Sequence, residues 1–300
     1  MKKTAAVVVT YNRLEMLKKT IESLLKQSVS CDILIVNNAS TDETETWLAE
    51  YTTDHKSVSY YNTDKNIGGA GGFNYGMKKA YELGYDYVWI MDDDCQPVEN
   101  ALEKLMDADD LLKGDYGYLS SVVLWTDGTE CKMNRQKIKK SYYEYAHLLS
   151  EGIIQVEQST FVSLLFPVKT LEKVGLPIKD FFIWGDDIEF TRRITVRNFM
   201  PSFMVMESKV IHAMKNNSGS SIATDDAERI NRYRYAFRNE GYLYRKEGIK
   251  GICYYIAKCG LNFLRILTKA KDNRLKRCWV LVSSMFKGLF FNPVTEMVKE

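Results

Sequence analysis

Long apolar runs are missing from the sequence, and their absence limits what the chain can be. A membrane-spanning helix needs about 18 or more consecutive, mainly apolar residues, and no stretch of the 300 residues approaches that length. The apolar run at residues 5–9, which follows Lys2 and Lys3, is too short for the apolar segment of a signal peptide. We therefore expect neither a transmembrane helix nor a cleaved leader.

Cysteine and histidine patterns typical of cross-links and zinc sites are also missing. The six cysteines form no Cys-x-x-Cys pair, and none of the three histidines stands at zinc-finger spacing from them. We therefore expect a reduced, cytoplasmic compartment rather than a disulfide framework. No nucleic-acid-binding motif is visible, and we expect no nucleic-acid partner.

Two common phosphate-binding motifs are absent from the glycine-rich segment NIGGAGGF at 66–73. It is not a Gly-x-Gly-x-x-Gly turn after a strand, and no Gly-Lys-Ser/Thr follows to make a P-loop. Four glycines ahead of a helix allow the backbone to approach a ligand closely and offer N–H groups to an anion. A flexible loop explains the same residues, and both interpretations stay open at this point.

Charge is unevenly distributed along the chain. Residues 228–300 contain 16 Lys and Arg against six Asp and Glu, or +10, and the overall charge of +2 leaves −8 for residues 1–227. We therefore predict a boundary near Ala227.

Strand-like and helix-like segments alternate through the first hundred residues. Apolar strands are predicted at 5–9, 32–36, 58–61 and 86–90, with helices between them. This alternation predicts an α/β fold with a Rossmann-like, mostly parallel sheet flanked by helices. Polar clusters follow three of the strands, at residues 10–11, 37–38 and 92–94. Because parallel strands end at one edge of a sheet, these clusters predict a nucleotide site there.

Three consecutive carboxylates end the strand in the segment DYVWIMDDDCQP at 86–97. Adjacent carboxylates repel one another, so they require either a solvated turn or a neutralising divalent cation. Side chains alternate along an extended backbone, which puts Asp92 and Asp94 on one side and Asp93 on the other. Hard carboxylate oxygens suit Mg²⁺ or Mn²⁺. The polar clusters on neighbouring strands favour the metal site over the solvated turn.

The second half contains another acidic segment, GDDIEF at 185–190, and a histidine, His212, after a predicted strand at 205–211. A helix that begins near residue 186 would carry its acids in the first turn, where they interact favourably with the helix dipole. A structural cap is therefore one interpretation and a functional site is the other. A lone histidine after a strand is usually a packing residue.

Four segments occur in the order typical of one family: VVVTYNR (7–13), VNNASTD (36–42), NIGGAGGFNYG (66–76) and WIMDDDCQP (89–97). The set resembles the successive blocks of inverting family-2 glycosyltransferases with the GT-A fold. It is most similar to galactofuranosyl- and rhamnosyltransferases, over roughly the first 215 residues. The resemblance implies a catalytic domain, placed at 1–227, with a nucleotide-binding half (1–100) and an acceptor-binding half (101–227). Charge and helical spacing predict a basic, amphipathic helical extension at 228–300.

The resemblance also implies site residues. The nucleotide sugar would be bound by Thr10, Tyr11, Arg13, Asn38, Asn66, Gly71 and Asp93. The cation, Mn²⁺ or Mg²⁺, would be held by Asp92, Asp94 and His212. Asp187 would be the general base, with Asp186 and Glu189 orienting the acceptor. The chain departs from the family pattern at Asn37 and Asn38, where many relatives have Asp, and at the inserted Gly185.

The function implied is transfer of a sugar from a nucleotide diphosphate sugar to a glycan or lipid-linked acceptor in cell-envelope or capsular polysaccharide synthesis. UDP-galactofuranose is the preferred donor and dTDP-rhamnose the alternative. A non-catalytic nucleotide-sugar-binding or scaffold protein is the alternative from another class. A nucleotidyltransferase would need a glycine-rich, basic loop after the first strand, where this chain has Thr10 to Arg13.

Two apolar stripes in the extension, at 252–267 and 278–289, have helical spacing. With the charge of +10 they predict docking on the inner face of the plasma membrane. Packing on the catalytic domain or on a second subunit explains the stripes equally well, so homo-oligomerisation also stays open.

Overall fold

A ten-stranded sheet runs through the computed structural model, which describes residues 2–141 and 143–299. Met1 and Glu300, the outer ends of the two predicted domains, lie outside the described residues. The strands are β1 (Thr4–Thr10), β2 (Asp32–Asn37), β3 (Val58–Asn62), β4 (Tyr87–Asp92), β5 (Cys95–Pro97), β6 (Leu119–Trp125), β7 (Lys137–Ile138), β8 (Ile153–Gln158), β9 (Leu164–Pro167) and β10 (Phe203–His212). The α-helices are α1 (Leu14–Leu25), α2 (Thr44–Asp54), α3 (Gly68–Glu82), α4 (Ala101–Leu112), α5 (Val168–Val174), α6 (Asp186–Arg192), α7 (Tyr233–Lys246), α8 (Gly248–Lys269) and α9 (Arg274–Phe290).

The strand order is β3-β2-β1-β4-β9-β6-β10-β8-β7, and β5 pairs with β10. Strands β3, β2, β1 and β4 are parallel, as are β6 and β10. Strand β9 is antiparallel to both β4 and β6. The predicted α/β fold, with a mostly parallel sheet and C-terminal helices, is confirmed. The four N-terminal strands form where the apolar runs predict them, and they bring their carboxyl ends to one edge.

Helices cover both faces of the sheet because side chains alternate along each buried strand. On β1, Ala6 and Val8 belong to the core that includes Leu17 of α1. Val7 and its neighbours of the same parity belong to a second core that includes Phe73 of α3. A strand that is apolar on both faces therefore lies in the middle of a three-layer fold.

Glycines let α3 approach the sheet closely. A Cβ at Gly72 would lie 2.5 Å from Cγ1 of Val9, and one at Gly76 would lie 2.4 Å from Cγ1 of Val7. The glycine-rich segment is thus the start of a packed helix and not a flexible loop. Close packing explains Gly68 and Gly72, whereas Gly69 has open space around it.

The three C-terminal helices form their own core, which includes Tyr233, Tyr255 and Ile266. The predicted stripe at 252–267 supplies its inner members, such as Tyr255 and Cys259, to this core, where each is 2% exposed. Contacts also cross the predicted boundary near Ala227, since Lys78 in α3 pairs with Glu296 near the C-terminus at 2.8 Å. The division of the chain into domains at residue 227 stays a prediction. None of the helices in the described ranges has the length and apolar content needed to cross a membrane.

We predict that Gly76→Ala lowers the free energy of unfolding by about 1–3 kcal/mol, the usual effect of forcing an extra methyl group into a packed core. Gly69→Ala in the same helix is the matched control, because no atom lies within 4 Å of its added Cβ. Urea unfolding followed by circular dichroism measures both. A Gly76→Ala protein as stable as the Gly69→Ala protein would contradict the close packing of α3 on β1.

Candidate active site

Strand pairing brings His212 to the end of the strand that carries the carboxylates. Strand β5 follows the turn at 93–94 and pairs antiparallel with β10, so that Cys95 lies opposite His212. The possible ligand atoms of Asp92, Asp94, Cys95 and His212 all lie within 4.8 Å of one another. The three residues predicted to hold a cation are therefore together, although His212 is more than a hundred positions away in sequence.

Asp94 is the carboxylate of this group whose negative charge is best balanced by its neighbours. Its Oδ1 lies 3.0 Å from Nε2 of His212, and its Oδ2 accepts a hydrogen bond of 2.8 Å from Nη1 of Arg13. Burial opposes ionisation of Asp94, but His212 and Arg13 outweigh it and lower the pKa of the carboxyl. In His212, burial opposes the charged form, and the bond to Asp94 outweighs it and raises the pKa of the imidazole to about 10.

Asp92 is the carboxylate of this group whose negative charge has no positive partner in the described part of the chain. Its carboxylate has no hydrogen bond or ion pair among the described residues, and burial together with the charge of Asp94 raises the pKa of this carboxyl. Even a half-buried carboxylate without a partner is costly. Its position beside Asp94 makes a positive charge favourable at this point.

The donor set suits a hard divalent cation. Two carboxylates and one imidazole are typical ligands for Mn²⁺ or Mg²⁺. Burial raises the pKa of the Cys95 thiol well above its usual range, and soft sulfur is a poor ligand for a hard cation. Nδ1 of His212 lies 2.8 Å from Oδ1 of Asn134. Donation to that oxygen leaves Nε2 of a neutral imidazole free to face the carboxylates.

Asn134 was not predicted from the sequence. It lies in a short helical turn between β6 and β7, and its amide also donates to Oγ1 of Thr160 at 2.8 Å. Nothing in the local sequence KMNRQ marks it. Only the fold shows that it contacts the histidine.

Asp93 binds the loop after β1 and shares Arg13 with Asp94. Thr10 donates to its Oδ2 at 2.8 Å, and Arg13 lies 3.2 Å from its Oδ1. Burial raises the pKa of Asp93 to about 6 despite the opposing charge of Arg13. Thr10, Arg13 and Asp93 thus meet at the predicted edge, while Tyr11 is exposed beside them.

Asn38 is buried, and its side chain holds the segment that precedes α3. Its Oδ1 accepts from the backbone N–H of Ile67 at 2.9 Å, and its Nδ2 donates to Asn66 and to the carbonyl of Gly68 at 3.2 and 3.1 Å. Asn37 is also buried and donates to Asn62 at 2.8 Å. Gly71 is buried within α3, one turn further on. These residues lie at the carboxyl edge of the sheet, where the nucleotide site is predicted.

The acidic segment in the second half begins α6, as predicted. Asp186 is buried, and Asp187 is half-buried with its Oδ1 accepting from the N–H of Ile188 at 2.7 Å. Burial, then the neighbouring charge of Asp187 and that of Asp92, raise the pKa of Asp186 well above its usual range. Burial raises the pKa of Asp187 to about 6. The charge of Asp92 contributes to the shift of Asp186, so these two carboxyls lie close enough to interact.

Glu189 is paired with basic residues that follow it in the chain. It is fully buried, and its carboxylate pairs with Arg193 at 2.7 Å and also with Arg197. Arg193 further donates to the carbonyls of Val174 and Leu176. The geometry makes Glu189 an anchor for α6.

The loop before α6 is conformationally unusual. Phe182, Trp184 and Gly185 have positive φ angles of 65°, 64° and 84°, a region that non-glycine residues rarely occupy. The carbonyl of Phe182 accepts from the N–H of Ala70 at 3.1 Å. A Cβ at Gly68 would lie only 2.0 Å from that carbonyl oxygen, so the glycine-rich start of α3 makes room for this loop.

A buried asparagine of the helical extension supports this loop. Asn239 in α7 is fully buried, and its amide Nδ2 donates to the carbonyls of Phe181, Ile183 and Trp184 at 3.0, 3.2 and 2.7 Å. Its Oδ1 accepts from Nε of Arg238 at 2.9 Å. Asn239 was missed in the sequence, where the segment YAFRNEG indicates only a polar helix.

An ion pair also ties α6 to the extension. Arg192 makes two bonds to Glu247, of 2.6 and 2.8 Å, and a further one to Glu157 of β8. The extension therefore supports both the loop and the helix that carry Asp186 and Asp187.

Solved structures with this architecture define the class of protein. The crystal structure of GalNAc-T7 with UDP, GalNAc and Mn²⁺ superposes with a TM-score of 0.67 at 13% identity, covering 93% of this chain. This chain spans about half (54%) of the length of that structure. S. aureus TarS residues 1–349 superpose with a TM-score of 0.53 at 14% identity, over 96% of this chain and 72% of TarS. The chain has the GT-A fold.

Sequence comparison gives the family. The model of Glycosyl transferase family 2 matches residues 5–154, so the chain belongs to this family and is a glycosyltransferase. It is 27% identical over 259 residues to galactofuranosyltransferase GlfT1 of Mycolicibacterium smegmatis, covering 82% of this chain and 84% of that protein. The GlfT1 of Mycobacterium tuberculosis strain H37Rv is also 27% identical, over 82% of this chain and 83% of its own length.

We predict that Asn239→Asp loosens the loop before α6, because the isosteric change replaces a donor to three carbonyls by an oxygen that repels them. Hydrogen–deuterium exchange should be faster at residues 181–185 and unchanged in β1. Asn262→Asp is the control, since the Asn262 amide is only half-buried and donates to a carbonyl within α8. Equal loop protection in wild type and Asn239→Asp would show that Asn239 does not hold the loop.

Proposed function

We propose that the protein is an inverting, divalent-cation-dependent glycosyltransferase that uses UDP-galactofuranose, with dTDP-rhamnose as the alternative donor. The observation that carries the proposal is the cluster of Asp92, Asp94 and His212 at the carboxyl edge of a GT-A sheet. The extended similarity to two proteins named galactofuranosyltransferases supports the choice of sugar. The carboxylates present argue against a non-catalytic binding protein.

Asp92, Asp94 and His212 would hold Mn²⁺ or Mg²⁺. The cation supplies positive charge to the leaving diphosphate. Arg13, whose side chain is 53% exposed while it pairs with Asp93 and Asp94, adds a second positive charge at the same edge. Asn134 keeps the His212 ring oriented, which supports the cation site from behind.

Asp187 is the proposed general base, and Asp186 is proposed to orient the acceptor. A carboxyl with a pKa of about 6 is mostly ionised at neutral pH and can accept the proton of an acceptor hydroxyl as it attacks. Burial and the charge of Asp187 raise the pKa of Asp186 well above its usual range, and a protonated Asp186 can donate a hydrogen bond that orients the acceptor. Two adjacent carboxyls with different environments can thus perform different roles. Glu189 contributes by anchoring α6.

The acceptor is proposed to be a glycan or lipid-linked sugar used in cell-envelope or capsular polysaccharide synthesis. Such an acceptor places the enzyme in the cytoplasm at the inner face of the plasma membrane. Homo-oligomerisation stays a prediction from the apolar stripes.

A panel of sugar nucleotides tests the proposal directly. Purified protein with Mn²⁺ is expected to release UDP from UDP-galactofuranose faster than from UDP-galactopyranose or UDP-glucose. Faster release of dTDP from dTDP-rhamnose would establish the alternative donor. No release from any donor, with or without a sugar acceptor, would favour a binding protein.

We predict that donor binding depends on the cation, because a diphosphate beside three carboxylates is repelled without it. Calorimetry should show that UDP binds at least about tenfold more tightly with Mn²⁺ than with EDTA. Asp94→Asn should abolish the difference, whereas Asp107→Asn, an exposed aspartate of α4, should preserve it. Equal UDP affinity with Mn²⁺ and EDTA in the wild type would refute the cation requirement.

We predict that Asp187→Asn lowers the transfer rate by about 10² to 10⁴ and leaves UDP affinity unchanged. A base acts in the transition state, so its loss affects turnover and not ground-state donor binding. In the wild type, kcat/KM should fall as the pH drops through about 6, since Asp187 becomes protonated there.

Asp186→Asn is the comparison variant. An amide at position 186 can still donate a hydrogen bond, so a smaller loss of turnover is expected. If Asp186→Asn is inactive and Asp187→Asn retains turnover, the base is Asp186.

A further inference from the structure

Helices α8 and α9 carry the largest concentration of exposed apolar side chains in the described residues. Ile249 is 80% exposed, Leu275 89%, Trp279 70% and Phe290 84%. Isolated exposed apolar residues are ordinary, whereas a continuous group of them marks an interaction surface. These two helices pack against each other, so their exposed residues belong to one region of the molecule.

The exposed residues repeat at helical spacing, and together they are called the outer stripe. On α8 the outer stripe consists of Ile249, Cys253, Ile256, Leu261, Leu264 and Leu267, and on α9 of Leu275, Trp279, Phe286, Leu289 and Phe290. The opposite side of α8 carries Tyr255, Cys259 and Ile266, which are at most 2% exposed. Helix α8 is therefore apolar on two sides, and protein covers only one of them.

Positive charge borders the outer stripe. Residues 248–290 contain nine Lys and Arg and one acid, Asp272, for a net charge of +8. Asp272 already pairs with the buried Arg277. The two acids of the adjoining segment, Glu240 and Glu247, pair with Lys258 and Arg192.

Seven basic side chains have no acidic partner in the part of the chain that the structure describes. They are Lys250, Arg265, Lys269, Lys271, Arg274, Lys276 and Lys287. An apolar face bordered by uncompensated cations complements an anionic lipid surface, where apolar side chains enter the acyl boundary and cations meet the headgroups. Tryptophan, here Trp279, is favoured at that boundary.

A second copy of the chain is less well matched to this surface. A twofold contact would bring two segments of +8 together, and like charges facing each other across an interface oppose association. We propose that the outer stripe and its bordering basic residues dock the protein on an anionic bilayer. The docking deepens the proposed function only by bringing the site to a lipid-linked acceptor; lipid binding itself needs neither donor nor cation.

The test is sedimentation of the full-length protein with lipid vesicles, in EDTA and without nucleotide. Binding is expected to vesicles that contain phosphatidylglycerol, to be weaker on pure phosphatidylcholine, and to fall as salt is raised. Because donor and cation are absent, a negative result here leaves the transferase proposal standing, and a failed transfer assay leaves this result unaffected.

Variants at exposed positions separate the contribution of the basic residues from that of the apolar outer stripe. Lys269→Gln with Lys271→Gln should lower the partition coefficient about 25-fold, since each basic residue near an anionic surface contributes a factor of about five. The control is Lys139→Gln with Lys140→Gln, two exposed lysines in and beside the turn after β7. Leu275→Ser with Trp279→Ser should also reduce binding, and Leu83→Ser with Phe199→Ser, exposed by 50% and 85% elsewhere, should not.

Three outcomes would overturn the proposal. The full-length protein could stay unbound on anionic vesicles at low salt. The outer-stripe and control variants could lose binding equally. Analytical ultracentrifugation could show a dimer that Leu275→Ser with Trp279→Ser dissociates, without vesicle binding, and the outer stripe would then be a subunit interface.

Discussion

Repulsion among carboxylates at the carboxyl edge of the sheet is the constraint on which the site depends. Parallel pairing of β1, β2, β3 and β4 brings their carboxyl ends to one edge of the sheet. Three consecutive acids lie at the end of β4 and in the turn that follows it. Arg13 and His212 compensate Asp93 and Asp94, but Asp92 stays unpaired among the described residues. Helix α6 adds Asp187 and also Asp186, which lies close enough to Asp92 to interact with it. A site with this balance of charge favours a cation and, through it, an anionic ligand.

The helical extension is part of the catalytic structure as well as an outer surface. The loop before α6 holds three positive φ angles close together, and backbone in that region persists only when its surroundings determine it. Asn239 supplies three hydrogen bonds to this loop, and Arg192 joins α6 to Glu247. One side of the extension thus supports the acidic helix, while α8 presents its second apolar side outward.

The sequence predicts local features well and long-range partners poorly. Apolar runs show the four parallel strands, and alternation places Asp92 and Asp94 on one side. Asn134 and Asn239 could not be predicted, because each acts on a backbone or side chain more than fifty positions away. Helical spacing shows which residues of α8 share a face. It cannot show which face is the core when both are apolar, and the outer stripe therefore emerged only from the structure. Spacing also cannot show that Glu189 forms a buried ion pair with Arg193.

Locating a bound cation tests directly whether Asp92, Asp94 and His212 hold it. A crystal of the protein grown with Mn²⁺ and UDP can be measured for anomalous scattering at the manganese edge. We expect one strong peak within about 2.0–2.4 Å of carboxylate oxygens of Asp92 and Asp94 and of Nε2 of His212, with a diphosphate oxygen on the remaining side. UDP bound at the edge with no manganese peak there, or manganese held by other residues, would contradict this expectation.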